Sequence, residues 1–190
     1  MFTAVEIRDI IVSILLLALI FSSFQLELLP TTIILVIFVF LSHELSHKFV
    51  AQHFGCSAEY KIWPLGLLLG LITAILSMFG GGIVFAAPGA VYISPYVKKR
   101  FAFKVAHLTE KEYGIISLAG PVVNISIGIS LLLVSLFSPL GILSLIAKIS
   151  FFLAFFNLIP IYPMDGSKVI AWNWKIWLIT IVLASVGLFL

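Results

Sequence analysis

Apolar residues fill this chain in blocks too long and too uniform for the alternation of core and surface in a water-soluble domain. Five blocks cover residues 10–29, 31–54, 113–137, 140–161 and 169–190, each near the ~20 residues a helix needs to cross a bilayer core. A sixth block, 65–79, is shorter. It leads through Gly80-Gly81-Gly82 into the strand-like stretch IVFAAPGAVYIS, which carries a Pro-Gly break. The pattern predicts an all-α polytopic membrane protein with five transmembrane helices plus a re-entrant helix/β-strand segment.

The basic residues decide between a dip and a crossing for 65–79. If that segment enters and returns, every Lys and Arg except Lys148 falls on one side, which the positive-inside rule makes cytoplasmic. If it crosses, the cluster from Lys98 to Lys111 is left outside. The dip is therefore expected, with a cytoplasmic N-terminus, an external C-terminus and the cell membrane as the location. Irregular backbone at membrane depth must be buried in protein or line a wet cavity, so the strand near 84–93 is expected beside the functional site.

Composition narrows the class further. Hydrophobic residues make up 62% of the 190 and charged residues 10%, and the mean hydropathy is +1.25, so a soluble globular domain is excluded. The first block follows Glu6, Arg8 and Asp9 rather than a basic stretch, and no small-residue cleavage site comes after it. It reads as a retained span, not a signal peptide. A net charge of +3 is too small for nucleic-acid binding. The single cysteine, Cys56, excludes an internal disulfide framework.

One polar interruption carries chemistry. Within the block 31–54 stands His43-Glu44-Leu45-Ser46-His47, an HExxH motif. On a helix, positions i and i+4 share a face, so both imidazoles can ligate one zinc with the Glu44 carboxylate alongside. Ionisable groups at that depth are costly and mark function. A catalytic zinc takes a third protein ligand and keeps one position open. His53 matches the spacing of HExxHxxGxxH, but Val50 stands where that motif has its turning glycine. Glu59, Glu110 and Glu112 lie beside basic residues and read as solvated charge pairs. Glu6, Asp9 and Glu27 mark the ends of spans. Asp165 follows an apolar span and a helix broken by Pro160 and Pro163, and is open to two readings, metal ligand or N-cap of the last helix.

Three ordered motifs, HELSH, Gly120-Pro121-Val122-Val123-Asn124 and the run NLIPIYPMDG from Asn157 to Gly166, together resemble the site-2 protease family of intramembrane zinc metalloproteases (peptidase family M50), over a core of about 31–166. The resemblance implies Zn2+ held by His43, His47 and Asp165, with Glu44 as general base and Asn157 holding the substrate backbone or the developing oxyanion. It also implies that the strand around 84–93 is the membrane-dipping element that pairs with an unwound transmembrane protein substrate. The expected function is hydrolysis of peptide bonds within or beside transmembrane segments, by a single membrane-embedded domain spanning 1–190. Many family members carry PDZ or CBS domains, for which this chain has no room. Gly120 and Asn124, read by themselves, serve close helix packing. The competing reading is a metal or ion transporter, which should show repeated halves with broken helices; no internal repeat is seen.

Overall fold

A computed structural model describes residues 2–79, 84–85, 87–94, 96–99, 102–105, 108–138 and 140–190, of which 96–99 and 102–105 are described as backbone only. The triple glycine 80–82, Arg100 and His107 lie outside the described residues. In chain order the elements are α1 (Ala4–Phe21), α2 (Leu29–Val36), a π turn (Ile37–Leu41), α3 (Ser42–His53), β1 (Ser57–Ile62), α4 (Pro64–Ser77), β2 (Gly89–Ser94), β3 (Tyr96–Lys99), β4 (Ala102–Val105), α5 (Glu110–Ser135), α6 (Gly141–Asn157), α7 (Asp165–Trp172) and α8 (Trp174–Phe189). Most of the described residues are helical, but among them stand two small two-stranded sheets, β1–β2 and β3–β4, where an all-α protein with one re-entrant helix/β-strand segment was expected. Two helical stretches, Leu26–His53 and Glu110–Ser135, are long and apolar enough to cross a membrane.

The first compact unit comprises 1–41 and 58–92. Its helix α1 starts at Ala4, not at residue 10, because the Thr3 side chain caps it by accepting from the Glu6 amide. Glu6 and Asp9 are thereby drawn inside the helix, and both are buried. They are not end markers. Glu6 Oε1 accepts the Tyr60 amide at 3.0 Å, and Asp9 Oδ2 accepts the Ile62 amide at 3.3 Å. Tyr60 and Ile62 are two apart, so their amides leave the same edge of β1. The other edge faces β2, where the Trp63 amide bonds the Pro88 carbonyl just before that strand. Two carboxyl groups of a helix thus stand where a third strand would stand. Tyr60 is fixed as well by a hydroxyl contact with Ser13 at 2.8 Å and an edge-on ring contact with Phe40.

Helix α4 has 14 residues. The extended residues after the glycine run lie along it: the Phe85 amide donates to Thr73 Oγ1, and Gly66 leaves the space that the Ala87 carbonyl fills. Strand β2 begins only at Gly89, five residues later than the expected 84.

The second unit comprises 42–57 and 93–190. Helix α5 opens with a capping box in which Thr109 and Glu112 exchange hydrogen bonds. Glu112 is therefore part of a helix start and not a loop charge pair. Helices α5, α6 and α8 share a core of Ile125, Ala147, Phe151, Ala154, Leu158 and Ala184. The closing block is not one helix: Asn173 has extended backbone and its side chain accepts from Lys175 and Ile176, ending α7 and starting α8. The basic stretch after β2 is a hairpin, with Tyr96 opposite Val105 and Lys99 opposite Ala102.

The carboxyl cap on β1 is testable. Replacing Glu6 by Ala leaves a buried amide without an acceptor, which costs about 1–3 kcal/mol. Hydrogen exchange at the Tyr60 amide should accelerate at least tenfold in Glu6→Ala and stay near wild type in Glu6→Gln, whose amide oxygen still accepts. Equal protection in all three proteins would contradict the cap.

Candidate metal centre

Helix α3 carries the HELSH residues in its first two turns, and His43, Glu44 and His47 are all buried. The i, i+4 spacing brings the two imidazoles together, with ring centroids 4.7 Å apart and Nε2 atoms 3.1 Å apart. Asp165, the first residue of α7, places Oδ2 at 3.4 Å from Nε2 of His43 and 3.2 Å from Nε2 of His47. The ligand-or-cap ambiguity at Asp165 meets a plain geometry: its carboxylate faces the histidines. Among the described residues, His43, His47 and Asp165 form a group that could hold a metal ion.

The other contacts of each ring fix which nitrogen faces the centre. His47 Nδ1–H donates to the Ile116 carbonyl at 2.7 Å, so Nε2 carries the lone pair. His43 Nδ1 lies 3.1 Å from the side-chain amide of Asn124, which is fully buried. Asn124 Oδ1 has no hydrogen-bond partner among the described residues. Turning the amide about χ2 brings Oδ1 to the ring, where Nδ1–H of His43 donates to it. Both Nε2 lone pairs then point at one spot beside a carboxylate oxygen, an arrangement that repels unless a cation sits there. A tetrahedral zinc with bonds of about 2.0–2.1 Å requires ligand atoms about 3.3–3.4 Å apart. The observed separations of 3.1, 3.2 and 3.4 Å lie close to that requirement, two of them slightly short of it.

Helix α5 supplies the back wall. Ile116, Gly120 and Asn124 recur every fourth residue and share one face, which is turned toward the histidines. A Cβ on Gly120 would collide with Nε2 of His47 and lie 2.6 Å from Nε2 of His43. Glycine there makes room for the imidazoles and not merely for another helix. Pro121 follows inside the helix, where it has no backbone donor for the Ser117 carbonyl four residues earlier. The packing role expected for Gly120 and Asn124 takes a specific form: both bring α5 close against the two imidazoles of α3. Their spacing from Ile116 was the available signal in the sequence.

The remaining candidates sit elsewhere. His53 ends α3 with its ring edge-on to Phe54. Glu59 accepts from the Thr3 hydroxyl and pairs with Lys61 at 3.8 Å. Burial pushes the Cys56 thiol up, which keeps it protonated. Asn157 ends α6, and its Nδ2 donates to the Leu153 carbonyl at 2.9 Å. Glu44 keeps Oε2 buried and without a hydrogen-bond partner among the described residues. A buried carboxylate oxygen left open beside two imidazoles is suited to receive a proton.

Two substitutions test the wall. Gly120→Ala should weaken zinc binding more than tenfold while leaving the helical circular dichroism unchanged. Asn124→Leu should cost about 10–100-fold, the usual effect of removing a partner that orients a ligand. Chelator competition on the detergent-solubilised protein measures both, and wild-type affinity in either would contradict the described contacts.

No family profile and no solved structure matches the chain. Curated relatives do. Over 185 residues, 94% of this chain and 90% of the relative, it is 38% identical to "Putative zinc metalloprotease MJ0611" of Methanocaldococcus jannaschii. It is 30% identical to "Putative zinc metalloprotease YwhC" of Bacillus subtilis over 79% of this chain and 72% of that protein. It is also 30% identical to "Zinc metalloprotease MJ0392" of Methanocaldococcus jannaschii, over 72% of this chain but 33% of that longer protein. With two histidines of an HExxH helix facing an aspartate of another helix, and relatives of this extent, the chain belongs to the zinc metalloprotease family that MJ0611 and YwhC represent, and its cofactor is Zn2+.

Proposed function

We propose that this metalloprotease is of the site-2 type: an intramembrane endopeptidase that hydrolyses peptide bonds within or beside transmembrane segments of membrane proteins in the lipid bilayer. The observation that carries the reading is the position of the histidines. They lie on Leu26–His53, a 28-residue helical stretch apolar enough to cross a membrane, and face a carboxylate from beyond a second apolar helix.

Five spans and one dip belong to this reading, in which Leu26–His53 and Glu110–Ser135 are the two stretches long and apolar enough to cross a membrane. The 14 residues of α4 rise about 21 Å, short of the ~30 Å hydrocarbon core. Helices α1, α6 and α8, with 18, 17 and 16 residues, sit near the lower limit of about 17 for a span. In this reading the N-terminus is cytoplasmic and zinc lies within the membrane. The names of the relatives give no support to a transporter.

His43, His47 and Asp165 are the proposed zinc ligands. Zinc bound there supplies Lewis acidity toward a water and a scissile carbonyl. Glu44 takes the proton of the attacking water on its open Oε2 and delivers it to the departing amine. Asn157 is proposed to turn its amide from Leu153 to the substrate backbone or the oxyanion. A substrate helix must unwind before attack, and β2 is the strand proposed to receive the freed segment by strand addition.

Glu44→Gln should keep one zinc per chain and lose about 10²–10⁴-fold in hydrolysis, whereas Asp165→Ala should lose the zinc itself. Cleavage of a library of single-span peptides in proteoliposomes, read by mass spectrometry beside metal content, distinguishes these. Wild-type cleavage by Glu44→Gln would overturn the mechanism.

A further inference from the structure

Asp165 is placed by little that is regular. It follows a non-helical stretch and opens an eight-residue helix whose preceding residue, Met164, gives no side-chain cap. One carboxylate oxygen, Oδ2, faces both histidines. The other, Oδ1, lies 3.9 Å from Nζ of Lys168, one turn along α7. The same Nζ donates to the Pro163 carbonyl at 2.8 Å. Lys168 thus reaches back across the start of its own helix and ties together the residue two before Asp165 and the free oxygen of Asp165. A lysine in the first turn works against the helix dipole, which favours acidic groups there. The position is locally unfavourable, so propensity does not account for it.

We propose that Lys168 is a positioning residue for the third metal ligand. Its ammonium has three donors; one is spent on the Pro163 carbonyl and another is available to Oδ1. Holding Oδ1 away from the histidines leaves Oδ2 as the single ligating atom. A carboxylate that binds through one oxygen preserves the fourth position that a catalytic zinc keeps for water. The tether to Pro163 fixes the backbone from which Asp165 projects, so one side chain sets both the place and the mode of ligation. This inference rests on Asp165 being a zinc ligand.

The test uses the full chain in detergent, with zinc affinity from chelator competition and visible absorption of the Co2+-substituted protein. Four-coordinate cobalt absorbs more strongly than five-coordinate cobalt, so the spectrum reports whether the carboxylate binds through one oxygen or two. Lys168→Met should weaken zinc binding about 10–100-fold and lower the cobalt absorption, and Lys168→Arg should restore both to within about threefold of wild type, as conservative replacement of an orienting partner allows. A lysine that merely stabilised the fold would lower the melting temperature and leave the cobalt spectrum of the folded protein unchanged. Asp165→Ala is the reference. If it binds zinc as wild type does, the ligand assignment fails. If it loses zinc while Lys168→Met keeps the wild-type affinity and spectrum, the assignment stands and the tether is overturned. Should Lys168→Met not fold, Lys168→Gln removes the charge while keeping a donor and is read by the same two measurements.

Discussion

Two imidazole nitrogens 3.1 Å apart, both facing one carboxylate oxygen, impose the constraint to which the surrounding helices answer. Buried in apolar surroundings, the three atoms are tolerable only with a cation between them, and a cation holds them only if each ring is turned correctly. The Ile116 carbonyl turns His47, and Asn124 turns His43. Gly120 must carry no side chain, and Pro121 stands inside the helix next to it. Ile116, Gly120 and Asn124 of α5, which look like ordinary helix packing, are therefore matched to the first two turns of α3.

Burial of backbone groups shapes the first unit. The amides on the outer edge of β1 need acceptors, and α1 provides them through Glu6 and Asp9. One edge of this two-stranded sheet is closed by side chains rather than by a further strand. Polar residues in this chain are few, and those described here are mostly engaged with a backbone group or a metal-binding position.

The sequence was most legible where one residue type has one use. HELSH located the histidines because the i, i+4 relation depends only on helical geometry. The apolar blocks located α5 and α6 closely, since helix length follows from the run itself. The elements that escaped are those in which distant residues decide. Strand β1 has no apolar run of its own and exists through its pairing with β2 and the carboxyls of α1. The start of α1 was set by the Thr3 cap rather than by hydropathy. The break between α7 and α8 came from Asn173, one polar residue in an apolar stretch. Asp165 could be narrowed by elimination but not fixed, because a carboxylate after a proline-broken helix serves equally as a cap. Asn124 and Gly120 were legible as packing residues, but not the surface they pack on, since a sequence does not say which helix the glycine face meets.

The central claim is one zinc held by two histidines and one aspartate, and the most direct measurement is the zinc K-edge X-ray absorption of the purified protein. The account predicts a single shell of nitrogen and oxygen at about 2.0–2.1 Å, with outer-shell scattering from two imidazoles, and loss of that bound zinc in Asp165→Ala. A third imidazole, or sulfur at about 2.3 Å, would contradict it and move the ligand search to His53 or Cys56.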